Sequence, residues 1–285
     1  MTTSELLTLE RTEVAFGGVR AVDGVDLTIG AGEIVSVIGP NGAGKTSLFN
    51  SVTGFYRPTG GRIRIAGHDV TGARPSAIAA LGVCRTFQNL RLFPGLPVLD
   101  NVRAGLHLRG GQHVFDALLR TPRYRRSERE ITDEAHRWLD FVGLPENVPG
   151  AVDRAGPVGQ LPYGAQRLVE IARALAMRPK LLLLDEPAAG LNAAEKAALT
   201  DLVHRIHGLG VSVVLIEHDM RLVRAVSKRV VVLNFGKKIA DGTPDRVWND
   251  PAVVDAYLGA DPDYESADAP SGEPEPEPER EESHV

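Results

Sequence analysis

Cys84 is the only cysteine in a chain of 285 residues. That excludes an intrachain disulfide and any cysteine-rich metal site. Long apolar runs are also missing: none approaches the ~20 residues needed to cross a bilayer. The start, Met1-Thr-Thr-Ser-Glu-Leu-Leu, lacks the basic segment and the long apolar stretch of a secretory signal. Together these absences lead us to expect a cytoplasmic protein. Apolar residues at 43% and charged residues at 24% fit an ordinary globular chain with one large domain or two small ones.

Charge is unevenly spread. The formal net charge is −5, yet residues 261–285 hold ten acidic residues against one arginine, a net of −9, which leaves about +4 on the rest. That terminal stretch alternates proline with glutamate from Glu273 to Glu279 and has no aliphatic anchors. It reads as a disordered, extended acidic tail, solvating by default and otherwise a docking arm for a basic partner. The mildly positive body does not imply nucleic-acid binding, because a phosphate site accounts for part of the bias.

The most informative stretch is Gly39-Pro40-Asn41-Gly42-Ala43-Gly44-Lys45-Thr46-Ser47. It satisfies the phosphate-binding pattern G-x-x-x-x-G-K-[ST] in full. Before it, Glu33 to Ile38 is an apolar, β-branched run that reads as a buried strand. After it, Ser47 to Val52 reads as the first turns of a helix. Glycines let the backbone curl its N–H groups around an anion, and a helix N-terminus adds its positive dipole end. In that setting Lys45 supplies a point charge for the β- and γ-phosphates, and the Thr46 hydroxyl can ligate Mg²⁺.

Lys180-Leu-Leu-Leu-Leu-Asp-Glu-Pro187 is the second landmark. Four apolar residues ending in an acid describe a buried parallel strand whose C-terminal end reaches a ligand site. Asp185 is then placed to hold Mg²⁺ through water, and Glu186 to orient or deprotonate an attacking water. A third apolar strand, Val211 to Ile216, closes in Glu217-His218-Asp219, so His218 is expected at the same edge.

Elsewhere, Leu6 to Phe16 and Ala21 to Ile29 read as short strands around a Gly17-Gly18 turn. Arg62 to Ile65 forms a further pair around Gly67-His68-Asp69. Arg229 to Phe235 and Lys237 to Gly242 read as a hairpin, and short helices close the fold near Asp245–Trp248 and Pro251–Leu258. Between Leu99 and Leu144 no buried strand is evident. Ile131, Ala135, Trp138, Leu139 and Val142 have helix spacing, and the arginines at 120, 123, 125 and 126 read as a solvated face. The expected organisation is an α/β nucleotide-binding core from 1–89 and 166–260, a helical subdomain over 90–165, and the tail over 261–285.

With these residues in this order, the chain resembles the ATP-binding subunits of ABC transporters over about residues 6 to 260. The resemblance implies a P-loop NTPase fold of the ABC ATPase type, with an N-terminal antiparallel β layer and an inserted helical subdomain. It implies that Phe16 stacks on adenine, that Gly39 to Ser47 hold ATP, and that Gln88 senses Mg²⁺ and the attacking water. Leu161-Pro-Tyr-Gly-Ala-Gln-Arg167 lies at the signature position, with Tyr163 and Gly164 toward the nucleotide of a partner. Asp185 and Glu186 match the Walker B pair, Ala189 to Asn192 the D-loop, and His218 the switch histidine on the γ-phosphate. Catalysis is thereby assigned to Glu186, His218 and Gln88, and the metal to Thr46, Gln88 and Asp185.

Pro162 replaces the usual signature serine, Tyr163 a glycine and Ala165 a glutamine, and Asn192 stands in place of a D-loop aspartate. The form Leu-Pro-Tyr-Gly, with Ile216-Glu-His-Asp-Met220 and the closing Asn249 to Gly259, is similar to LivG-type ATPases of branched-chain amino acid importers. That implies ATP and Mg²⁺ as cofactors and a head-to-tail pair with a second ATPase subunit, identical or paralogous. It further implies permease subunits in the membrane, an indirect link to a solute-binding protein, and a peripheral place on the cytoplasmic side. Importers of urea, short amides or other hydrophobic amino acids remain alternatives. A soluble ABC protein acting on ribosomes or DNA is a more distant one.

Overall fold

The computed structural model describes residues 5–107, 122–144 and 153–258. The expected acidic tail and Arg120 lie outside the described residues. Two sheets organise the core. The first is antiparallel, in the order β2-β1-β4-β5, from β1 (Glu5–Phe16), β2 (Val19–Gly30), β4 (Gly60–Ile65) and β5 (His68–Asp69). β1 and β2 each run for twelve residues, within one or two residues of the expected Leu6–Phe16 and Ala21–Ile29 at each end. Register shifts along the pair, with Arg11 at φ +41° and its N–H on Asp26 Oδ1 at 2.7 Å, let the ribbon bend and continue.

The second sheet has the order β10-β9-β3-β8-β7-β6. Its members are β3 (Ile34–Ile38), β6 (Val83–Arg85), β7 (Leu181–Asp185), β8 (Ser212–Ile216), β9 (Arg229–Asn234) and β10 (Lys237–Gly242). All pairings are parallel except β9 with β10. Every residue of β3, β7 and β8 is buried. That is why these strands are apolar throughout instead of alternating. Register places Val37 beside Ile216, and Ile216 beside Asp185, so three strands deliver their following loops to one edge.

One core cluster lies between the two sheets and takes in α1 (Lys45–Val52) through Leu48, Phe49 and Val52. The opposite face of the parallel sheet carries α3 (Val98–His107), α4 (Pro122–Phe141), α5 (Tyr163–Ala176) and α6 (Ala193–Gly208). On α4 and just beyond, Ala135, Leu139 and Val142 are buried, with Ile131 and Trp138 packed beside them. Arg125 and Arg126 are exposed, and Arg126 pairs with Glu130 at 3.1 Å. A third cluster joins β9 to α7 (Met220–Val226), α8 (Pro244–Trp248) and α9 (Pro251–Leu258) through Val223, Val247 and Val253. Short α2 (Pro75–Ala80), β6 and the long α6 were not anticipated from the sequence.

Candidate functional site

The loop from Gly39 to Gly44 is shaped by neighbours remote in sequence. Gly39 (φ +147°) would place a Cβ 2.0 Å from the Leu233 carbonyl oxygen, and Gly44 (φ +100°) 2.1 Å from that of Ala21. Only glycine fits against fixed backbone at those distances. Ala43 is buried in the inter-sheet core, and its carbonyl accepts from Gly236 N–H at 3.0 Å. Gly44 is the N-cap of α1, with Thr46 exposed and Ser47 half-buried in its first turn. Lys45 is nearly enclosed and donates to the carbonyls of Gly39 (2.6 Å) and Pro40 (2.9 Å). Burial pushes its pKa below the ordinary lysine value, and the charges of Glu186 and Asp185 oppose that push. Lys45 therefore sits within the field of both carboxylates. Asn41 and Gly42 form the exposed outer rim, Gly42 at φ +81°.

Asp185 ends β7 and is buried, and Arg85 Nη2 donates to its Oδ2 at 2.6 Å. Glu186 follows in the left-handed region, at φ +46°. A non-glycine residue held there carries backbone strain, and such strain concentrates at functional sites. Its N–H is pinned to the Ile216 carbonyl at 2.9 Å. Its Oε2 accepts from Gln88 Nε2 at 2.9 Å and lies 4.0 Å from His218 Nδ1. Gln88, Glu186 and His218, from three separate loops, therefore meet at one carboxylate oxygen.

Phe16 ends β1 half-exposed, with its ring edge-on to Tyr56 at 5.0 Å. Tyr163 opens α5 with Pro162 as N-cap, whose carbonyl accepts from Gln166 N–H at 3.0 Å. The Tyr163 ring lies beside Gly190, and a Cβ on Gly164 would meet Glu195 Oε1 at 2.4 Å. Among the described residues no hydrogen bond or ion pair joins Tyr163 or Gly164 to residues 39–47. Asn192 caps α6 in a reciprocal box with Glu195, at 3.0 and 2.9 Å.

Four charged residues not singled out in the sequence organise this region. Arg85 is described above. Arg167, fully buried on α5, donates to the carbonyls of Phe87 (2.6 Å) and Gln88 (2.9 Å), to Tyr163 Oη (2.9 Å) and to Glu170 Oε2 (2.9 Å). Glu170 in turn accepts from Arg91 N–H at 3.1 Å, and burial raises its pKa. The loop bearing Gln88 is thus strapped to the helix that begins at Tyr163. Glu217, wholly buried, accepts from Ala188 N–H at 2.8 Å and His218 N–H at 3.2 Å, tying the Glu186 loop to the His218 loop. Desolvation raises its pKa against those bonds. The available signal was a charged residue inside an otherwise apolar run: Arg85 after Val83-Cys84, the i,i+3 pair Arg167/Glu170, and Glu217 after Val213 to Ile216.

Comparison with known proteins follows the same lines. Residues 22–189 match the family described as ABC transporter, and residues 237–263 match the one described as branched-chain amino acid ATP-binding cassette transporter. A high-affinity branched-chain amino acid transport ATP-binding protein, BraF of Pseudomonas aeruginosa, is 45% identical over 89% of this chain and 98% of its own length. A crystal structure of the ADP conformation of an ATP-binding cassette of an ABC transporter superposes with a TM-score of 0.76, at 30% identity, over 90% of this chain and 100% of that one. A dimeric cassette in a post-hydrolysis state with ADP and Pi superposes with a TM-score of 0.70, at 25% identity, over 84% of this chain and 99% of that one.

Proposed function

Because the chain belongs to the ABC transporter ATP-binding family, we propose that it binds and hydrolyses ATP to power an importer of branched-chain amino acids. The observation that carries the hydrolytic part is the meeting of Gln88 and His218 on Glu186 Oε2. A carboxylate so placed can orient a water and take its proton, and its neighbours set its direction. Lys45 and the N–H groups at the head of α1 stabilise the phosphate charge that grows during transfer. The solute class is carried by the match over residues 237–263 and by BraF.

The donors present fit Mg²⁺. Among the described residues no cluster of three or more His, Cys, Asp or Glu could hold a metal alone. Mg²⁺ bound to a nucleotide needs only one or two protein oxygens, with phosphates and waters completing its shell. Thr46 on α1 and Asp185 at the end of β7, with Gln88 nearby, would hold it. Bound there, Mg²⁺ neutralises phosphate charge.

The N-terminus of α5 is the surface we assign to the nucleotide of a second ATPase subunit, identical or paralogous; one structural relative is a dimer bound to ADP and Pi. A groove of about 400 Å³ lined by Phe55, Ile78, Phe87, Phe93 and Met177 lies between the core and the helices, and we assign it to a permease subunit. A solute-binding protein would then act only through that permease. No described helix is long and apolar enough to cross a membrane. The chain then works from the cytoplasmic face as a peripheral subunit. The test is uptake of labelled leucine, isoleucine and valine in the native host lacking other importers. Glu186→Gln should lose uptake and the wild-type gene restore it. Undiminished uptake would remove the substrate assignment.

A further inference from the structure

Arg85 ends β6 with its side chain 4% exposed, facing an Asp185 side chain equally enclosed. Its three polar contacts, two of them short, run to the end of β7 and to α1 with its C-cap Thr53. Nη2 donates to Asp185 Oδ2 at 2.6 Å, and Nη1 donates to Asn50 Oδ1 at 2.6 Å and to Thr53 Oγ1 at 3.3 Å. The guanidinium also lies near the rings of Phe49 and Phe87, at 5.5 and 5.0 Å. One rigid plane therefore links the end of β7, the C-terminal half of the helix that begins at Lys45, and the loop that carries Gln88.

A buried ion pair contributes little net stability, because desolvating both charges offsets their attraction. What it supplies is orientation, and arginine does this better than lysine because its donors form a fixed fork. Asp185 has two oxygens. Oδ2 is committed to Arg85, and among the described residues no side chain or N–H donates to Oδ1. Asn50 in turn accepts from the other terminal nitrogen, Nη1, so the guanidinium is held by a second partner besides Asp185.

We propose that Arg85 is a positioning residue for Mg²⁺-nucleotide binding: anchored by Asn50, it holds Asp185 by Oδ2 and leaves Oδ1 as the oxygen offered to the metal and its waters. The proposal rests on the reading of Asp185 as the metal-facing carboxylate. It gives Arg85 no contact with nucleotide, so loss of Arg85 should weaken the metal's contribution and spare the nucleotide's own.

The test is titration of trinitrophenyl-ATP into the purified full chain, with Mg²⁺ and with EDTA, for wild type, Arg85→Lys, Asn50→Ala and Asp185→Asn. Partners that orient a metal ligand are worth ~10-fold or more in metal affinity. Arg85→Lys should therefore cut the Mg²⁺-dependent gain in affinity by about tenfold, with the EDTA affinity unchanged. Asn50→Ala should move the gain in the same direction, and it decides by the same criterion if Arg85→Lys does not fold. An unchanged gain, or equal losses with and without Mg²⁺, overturns the proposal. If Asp185→Asn keeps the full gain, the underlying reading of Asp185 has failed instead.

Discussion

Replacing Glu186 by glutamine changes one property of the site and few others. The amide has nearly the same shape, and its oxygen can still accept from Gln88 Nε2, now at 2.9 Å from the carboxylate. The backbone stays at φ +46°, so the strain is neither relieved nor increased. Nucleotide contacts are untouched, because those assigned to Lys45, Thr46 and the loop amides do not involve Glu186. What disappears is basicity. A positioned general base contributes roughly 10²- to 10⁴-fold, or about 3–5 kcal/mol of barrier. Steady-state phosphate release should fall by that factor, while ATP affinity stays at the wild-type value. An unchanged turnover number with intact binding would refute the role given to Glu186. The strain supplies an independent check. At a left-handed position glycine should be more stable than alanine by about 1 kcal/mol, the reverse of their order in a helix. Both Glu186→Gly and Glu186→Ala lack the carboxylate, so their midpoints should differ by ~2–4 °C with neither active. Equal or inverted midpoints would mean that the backbone at 186 stores no strain.

Gly44→Ala should cost ~3 kcal/mol or more and abolish ATP binding, because its Cβ would lie 2.1 Å from the Ala21 carbonyl oxygen. Gly42→Ala, with φ +81° but open space around the Cβ, should cost only about 1–2 kcal/mol by chemical denaturation. Tyr163→Phe removes one acceptor from Arg167, which keeps its bonds to Phe87, Gln88 and Glu170. It should lower stability by ~1 kcal/mol, and a loss several times larger would mean the strap fails as a unit. Glu217 has a raised native pKa, so the native state keeps a proton that the unfolded chain releases. Its contribution to stability therefore falls as pH rises from the ordinary glutamate value through the raised one, and the penalty is complete above it. The difference in unfolding free energy between wild type and Glu217→Gln, followed from about pH 4 to pH 8, should favour wild type most at the acid end. A flat difference would contradict the buried-charge account.

Much of the architecture was legible because burial on both faces leaves a strong mark. β3, β7 and β8 are buried throughout and read as unbroken apolar runs. The loop after β3 was legible because a phosphate cradle needs glycines and a lysine at set spacing. The long α6 was not, because its buried residues, Leu199, Leu202, Val203 and Ile206, all lie beyond its first turn. Short β6 was missed as well, since three residues are too few for a period to show.

The sequence by itself determined which chemistry the chain carries: a phosphate loop, two acids ending an apolar strand, and a histidine ending another. These are local patterns, and local patterns survive in one dimension. Only the tertiary structure decided how those groups are held. Arg85 reaches Asp185 because β6 pairs beside β7, and Gln88 reaches Glu186 from the same side. Gly39 and Gly44 are required by the carbonyls of Leu233 and Ala21, which lie far away in sequence. Arg167 and Glu217 were given no role from the sequence, and folding buries both and aims them at backbone groups. Buried polar groups must be satisfied by whatever the fold brings near, and what comes near is set by strand order and helix packing.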